Sequence, residues 1–155
     1  MELKFTIGGR ISRPVHEVFE AVANPDHLGQ FFTTGGAKGR LVTGSVVTWD
    51  FHDFPGAFPV NVVEVVPNEK IVLRWGAPRN SVDIDAAGNS ITTVTMMFES
   101  LGDDRTLVQI SEHGWKSSGE GLAASYDNCE GWTGMLCAMK AWMEHGINLR
   151  EGYYK

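Results

Sequence analysis

The sequence predicts an α+β fold in which a seven-stranded antiparallel sheet is crossed by one long C-terminal helix. Two observations carry the prediction. Between Thr33 and Ser118 the chain is a succession of alternating, β-branched segments separated by short turn clusters, the pattern of consecutive hairpins. From Ser125 to His145 the period changes: Trp132, Leu136, Met139 and Met143 recur at intervals of four, three and four, which stacks them along one helical face. A lone amphipathic helix cannot bury its own stripe, so it is expected to lie across the sheet.

The elements follow in order. Leu3, Phe5 and Ile7 alternate with Lys4 and Thr6 and the pattern resumes at Ile11, which predicts a first strand over 2–11, with Gly8-Gly9 as a place where it bends. Pro14 stands where a first helical residue is favoured, and Val15, Val18, Phe19 and Val22 follow at i, i+3, i+4 and i+7, a short amphipathic helix. Asn24-Pro25-Asp26 ends it, because the residue before a proline is pushed out of the helical region. A second helical turn with Leu28, Phe31 and Phe32 follows. The remaining strands are expected at 39–43, 45–52, 58–66, 70–76, 91–99 and 105–113, with Pro67-Asn68-Glu69, Ala87-Gly88-Asn89 and Gly102-Asp103-Asp104 as turn clusters. Gly35-Gly36-Ala37-Lys38-Gly39 reads as a flexible turn, and Gly146 stops the long helix.

Composition narrows the class. At 155 residues, 43% hydrophobic and 21% charged, the chain reads as one soluble domain over 1–155. No apolar run approaches the roughly 20 residues of a membrane span, and the alternating start is unlike a secretory leader, so a cytoplasmic location is expected. Thirteen basic and nineteen acidic residues give a formal charge of −6 with no basic block, which argues against nucleic acid as partner. Cys129 and Cys137 lie eight positions apart on the helix, about 12 Å by helical rise, too far for a disulfide. Both are expected as buried or half-buried thiols.

The ordered segments Ile11-Ser12-Arg13-Pro14-Val15-His16-Glu17-Val18-Phe19, Asn24-Pro25-Asp26-His27-Leu28, Val62 to Trp75, Thr106-Leu107-Val108-Gln109-Ile110 and Gly131-Trp132 with Leu136 and Met139 resemble the START-like (SRPBCC) helix-grip superfamily. Within it they are most similar to the proteins related to the activator of the heat-shock-protein-90 ATPase. The resemblance implies a curved antiparallel sheet gripping the C-terminal helix, and between them a cavity that in many members takes a small apolar ligand. It leaves the chemistry open, because the superfamily holds carriers, cyclases, hydroxylase subunits and chaperone regulators. Phe31-Phe32 stand here where a tryptophan is common in the superfamily, a departure from its commonest pattern.

Strand alternation supplies the candidate site. Val108, Ile110 and Glu112 share one face, as do Val60, Val62, Glu64 and Val66, so Glu112 and Glu64 are the two carboxyl groups expected to enter an apolar chamber. Either could serve as general base or ligand anchor. The structural alternatives are a Glu64–Arg74 pair across adjacent strands and a solvated Glu112 at the rim. Trp49 and Phe51 share a face with Val47, and Trp75 with Ile71 and Leu73. Met96, Met97, Met135, Met139 and Met143 offer polarizable surface, and Trp115 with Phe31 and Phe32 a cavity mouth. The ligand-binding set is therefore Trp49, Phe51, Trp75, Met96, Glu112, Trp115, Met139 and Met143, with core packing as the alternative for each. On the helix, Trp132 and Leu136 are expected to lock against the sheet while Met139 and Met143 line the remaining space.

Other constellations fail. His16, His27, His52, His113 and His145 lack metal-ligand spacing, so neither metal nor cofactor is expected. The glycines at 35–39 lack the Gly-Lys-Ser/Thr ending of a phosphate loop, and no Gly-x-Ser-x-Gly elbow exists. The leading expectation is a module binding a small apolar or amphipathic ligand. The alternatives are a regulatory protein that contacts a chaperone ATPase and an enzyme of cyclase or hydrolase type.

Overall fold

The computed structural model describes all 155 residues, Met1–Lys155. Seven strands, β1 (Leu3–Ile11), β2 (Gly36–Lys38), β3 (Val46–Phe51), β4 (Phe54–Val66), β5 (Lys70–Gly76), β6 (Ile91–Gly102) and β7 (Arg105–Trp115), form one sheet in the order β1-β7-β6-β5-β4-β3-β2. All neighbours are antiparallel. From β2 onward the strands follow one another as hairpins. Asp103 and Asp104, both at positive φ (51° and 55°), form the two-residue turn between Gly102 and Arg105, whose left-handed geometry matches the twist of the flanking strands.

The first and second strands lie at opposite edges, and the chain crosses between them through α1 (Val15–Ala23) and α2 (Pro25–Leu28). Asn24 separates the two helices: its extended backbone ends α1, and its side chain accepts from the Asp26 N–H at 3.0 Å to start α2. The third helix, α3, runs from Gly119 to His145 and lies chiefly across β1 and β7. There Gly9 faces Leu136, whose Cδ2 would stand 3.1 Å from an added Cβ. With no side chain at Gly9, helix and strand approach closely. A single cluster of 26 buried apolar residues, among them Ile11, Phe19, Trp49, Ile71, Ile110 and Met139, fills the space between sheet and helices.

Three expected elements differ. Residues 39–43 are loop, and the edge strand is instead Gly36–Lys38 within the stretch expected as a turn. Gly36 and Gly39 both take positive φ, so the strand is pinned between two positions that glycine alone adopts readily. The long helix begins at Gly119, six residues before the expected Ser125, because the Ser118 side chain caps it by accepting from the Gly121 N–H at 3.1 Å. Its end is as expected: Gly146 adopts the left-handed conformation at φ 67°. Cys129 is half-buried, whereas Cys137 is exposed.

Candidate functional site

The site is built around Glu112. Alternation along β7 puts it on the inner face with Val108 and Ile110, and it is fully buried at 0% exposure. Its two oxygens accept hydrogen bonds from four side chains. Trp132 Nε1 donates to Oε1 at 2.9 Å, Trp75 Nε1 to Oε2 at 2.9 Å, and Thr92 Oγ1 to Oε2 at 2.5 Å. Asn128 Nδ2 spans both oxygens at 3.1 and 2.9 Å. No lysine, arginine or histidine pairs with it. A carboxyl group taken out of water needs its acceptor capacity filled, and here neutral donors from β5, β6 and α3 fill it. The five contacts occupy the roughly four lone-pair directions that a carboxylate offers. Glu112 therefore has no lone pair free for an incoming molecule and acts by holding its partners.

Three of those partners, Trp75, Asn128 and Trp132, border a cavity of about 770 Å³. Phe32 and Phe51 continue its aromatic wall. Phe32 lies 5.2 Å from Trp132 and 5.0 Å from Phe51 between ring centroids, and Trp75 lies 5.1 Å from Trp132. The helix contributes its stretch from Tyr126 to Ala138, including Gly131 and Gly134. Glycine inside a helix costs roughly 1 kcal/mol relative to alanine. At Gly131 an added Cβ would meet nothing within 4 Å, and at Gly134 it would meet the Tyr154 hydroxyl at 3.2 Å. These two positions keep the helix wall low.

The outer wall is the C-terminal segment. After Gly146 the chain turns back, and Leu149, Arg150, Tyr153 and Tyr154 all border the cavity. Arg150 ties it down: its guanidinium donates to both Asp53 oxygens at 2.7 and 2.8 Å, and both side chains are only 8% exposed. The same guanidinium lies 5.4 Å from the Phe51 ring and 4.9 Å from that of Tyr154. Arg150 holds the Asp53 carboxyl below the usual carboxylate range, first by hydrogen bonding and then by its charge, against the opposing effect of burial. Burial, with a smaller push from Glu130, raises the Tyr154 phenol. Opposite, Asp127 and Glu130 stand exposed on α3 at the rim.

The sequence-derived candidates divide accordingly. Glu112, Phe51 and Trp75 meet at this site. Trp49, Met96 and Met139, at 0 to 1% exposure, belong to the packed core and do not border the cavity. Trp115 stacks on Phe5 at 5.7 Å, away from the cavity, and Phe31 is fully buried against Trp142. Neither forms a mouth. Met143 borders a separate groove with His16 and His27. Along the helix, Trp132 and Leu136 hold to the sheet as expected, through Glu112 and Gly9, but the remaining space is not beside Met139 and Met143: the cavity lies beside Trp132, and Met139 is core.

Glu64 is not in the chamber. Strand β4 pairs Val62 with Leu73 but Glu64 with Val72, so Val63 is an extra residue and the alternation inverts there. Glu64 emerges on the outer face, 3.1 Å from Lys70 Nζ, and the expected Arg74 pairing is absent. Asn128, Thr92, Asp53, Arg150 and Tyr154 escaped the sequence reading. Asn128 had a usable signal, since it precedes Trp132 by four and so shares its helical face. The tail residues had none.

Comparison with known proteins places this architecture. Solved structures share the fold: SSP2350 from Staphylococcus saprophyticus is 23% identical with a TM-score of 0.77, covering 96% of each chain. The Aha1 dimer from Colwellia psychrerythraea is 18% identical with a TM-score of 0.74, over 94% of this chain and 99% of that one. DynU16, from the dynemicin biosynthetic locus, is 22% identical with a TM-score of 0.75, over 95% of this chain and 49% of its own. No protein among those with curated function matches the sequence. The family profile described as activator of Hsp90 ATPase homolog 1-like protein matches residues 12–144, within the START-like helix-grip superfamily, and the chain belongs to that family.

Proposed function

We propose that the protein is a binding module for a small apolar or amphipathic molecule, held between α3, the β3–β4 hairpin and the C-terminal segment. The observation that carries this reading is the aromatic cavity of about 770 Å³, inside the 300–1,000 Å³ range of ligand sites. The helix glycines and the Glu112 donor set support it, because the first keep the space open and the second keep its aromatic wall rigid. Binding is proposed without a chemical step: Glu112, the buried acid nearest the cavity, has its oxygens fully engaged. Native mass spectrometry of freshly expressed protein tests the reading. A co-purified small molecule, displaced by a bulky side chain at position 131, is the expected result. Absence of any adduct, together with no binding across an apolar probe panel, overturns it.

A second reading, a regulator that contacts a chaperone ATPase, is favoured by the description of the matching family and by the fold shared with the Aha1 dimer. Its test is a pull-down with the cognate chaperone and an ATPase assay. Stimulation supports it; neither binding nor stimulation removes it.

A further inference from the structure

We infer that the cavity selects an organic cation with an apolar body, a ligand class set by how Glu112 and the tail are wired into its walls. The inference rests on the binding reading above and narrows it. Three observations converge. First, the two indoles bordering the cavity, Trp75 and Trp132, both donate their N–H to the Glu112 carboxyl group at 2.9 Å. Donation to an acidic acceptor polarises an indole and adds electron density to its ring, the property that draws a cation to an aromatic face. Tryptophan is the strongest aromatic partner for a cation.

Second, the uncommitted polar atoms favour a donor ligand. Asn128 commits its amide nitrogen to Glu112, and its Oδ1 accepts from no protein group. Asp127 and Glu130 stand at the rim, and the one basic side chain of the wall, Arg150, is neutralised by its two hydrogen bonds to Asp53. An anion entering the cavity would meet these acidic groups; Lys155, the unpaired cation nearest by, lies over the Phe54 ring and is not among the residues that line the cavity.

Third, the protein's own cations already use this wall. Arg150 sits over Phe51 and Tyr154, and Lys155 Nζ lies 4.7 Å from the Phe54 ring. These contacts occupy the outer aromatics. Over Trp75, Trp132 and Phe32 there is no side-chain cation; Trp132, 2% exposed, is packed between Phe32 and Trp75, so of the two indoles the half-buried Trp75 is the one that offers ring surface to a ligand.

The test compares three probes of one shape by isothermal titration: (1-naphthylmethyl)trimethylammonium, its neutral isostere 1-neopentylnaphthalene, and 1-naphthylacetate. The cation is expected to bind at least about tenfold tighter than the isostere, the size of a desolvated cation–π contact, and the acetate to bind more weakly than either. Protein grown with fluorinated tryptophan, which withdraws density from the rings without altering their shape, is expected to lose most of the cation's advantage while keeping affinity for the isostere. Equal binding of cation and isostere, or preference for the acetate, overturns the inference and leaves the binding module standing. A cation preference unchanged by fluorination overturns the assignment to the indoles. Binding of none of the three overturns the inference, and the binding module with it only where no adduct co-purifies and the wider apolar panel also fails to bind.

Discussion

The indole N–H of Trp132, on α3, donates to Oε1 of Glu112, on β7, at 2.9 Å, with the carboxyl group at 0% exposure. This bond ties the helix to the sheet at the back of the cavity. Leaving one member of such a buried pair without its partner costs about 1–3 kcal/mol. The same acceptor also holds Trp75 and Asn128.

Trp132→Phe, which removes one donor and keeps most of the ring, is expected to cost about 2 kcal/mol in urea unfolding. Glu112→Gln is expected to cost more, about 3 kcal/mol, because whichever oxygen becomes the amide nitrogen would face an indole N–H, that of Trp75 or of Trp132, which cannot accept. The double variant should cost less than the sum, since both changes break one network. A Glu112→Gln protein as stable as wild type would dispose of this account.

Arg150→Ala leaves Asp53 without its partner in a site where both side chains are 8% exposed. Breaking a fully enclosed pair costs about 3–5 kcal/mol, yet here the tail can lift away and let Asp53 hydrate. The expected outcome is local: hydrogen exchange over 147–155 accelerates by on the order of tenfold or more, while β6 and β7 keep their protection. Unchanged exchange in the tail would show that Arg150 is not the tie.

The same pair sets a pH dependence. Asp53 has its folded value held below its unfolded one by Arg150. Its contribution is therefore present above the ordinary carboxylate value, about 3.9, and lost as pH falls through the lower folded value. Tail protection should stay level from pH 8 to about 5 and decline below about 4. In Asp53→Asn the tail should be loosened at neutral pH and lose that acid step.

Gly131 separates packing from binding. An alanine there meets nothing within 4 Å and removes a helix glycine, so Gly131→Ala should stabilise by roughly 0.5–1 kcal/mol. Gly131→Trp projects a large ring into the cavity and should weaken binding of an apolar probe by about tenfold or more while the fold is retained. Undiminished binding in Gly131→Trp would place the ligand elsewhere.

Gly121 illustrates a position where no side chain fits. An added Cβ would stand 2.0 Å from the Lys116 carbonyl oxygen, a backbone atom that cannot swing aside. Gly121→Ala should destabilise by about 3 kcal/mol, the upper end for overpacking, measured by thermal unfolding. A loss below about 0.5 kcal/mol, the range of unconstrained surface changes, would mean that the helix start is free to shift.

What the sequence by itself determined is what short-range chemistry controls. The period of two places Val108, Ile110 and Glu112 on one buried face, Asn24-Pro25 divides α1 from α2, and Gly146 ends α3. Each depends on residues within one turn or one strand. The tertiary structure decided the rest. One extra residue at Val63 sends Glu64 outward, a parity change visible only in the pairing of β4 with β5. The start of α3 is hidden in sequence by Gly119 and Gly121, residues of low helix propensity, and is set by the Ser118 cap. The site itself depends on contacts between distant residues: Glu112 with Trp75, 37 positions away, and Arg150 with Asp53, 97 positions away. No local pattern encodes such approaches, because they follow from how the sheet, the helix and the returning tail pack together.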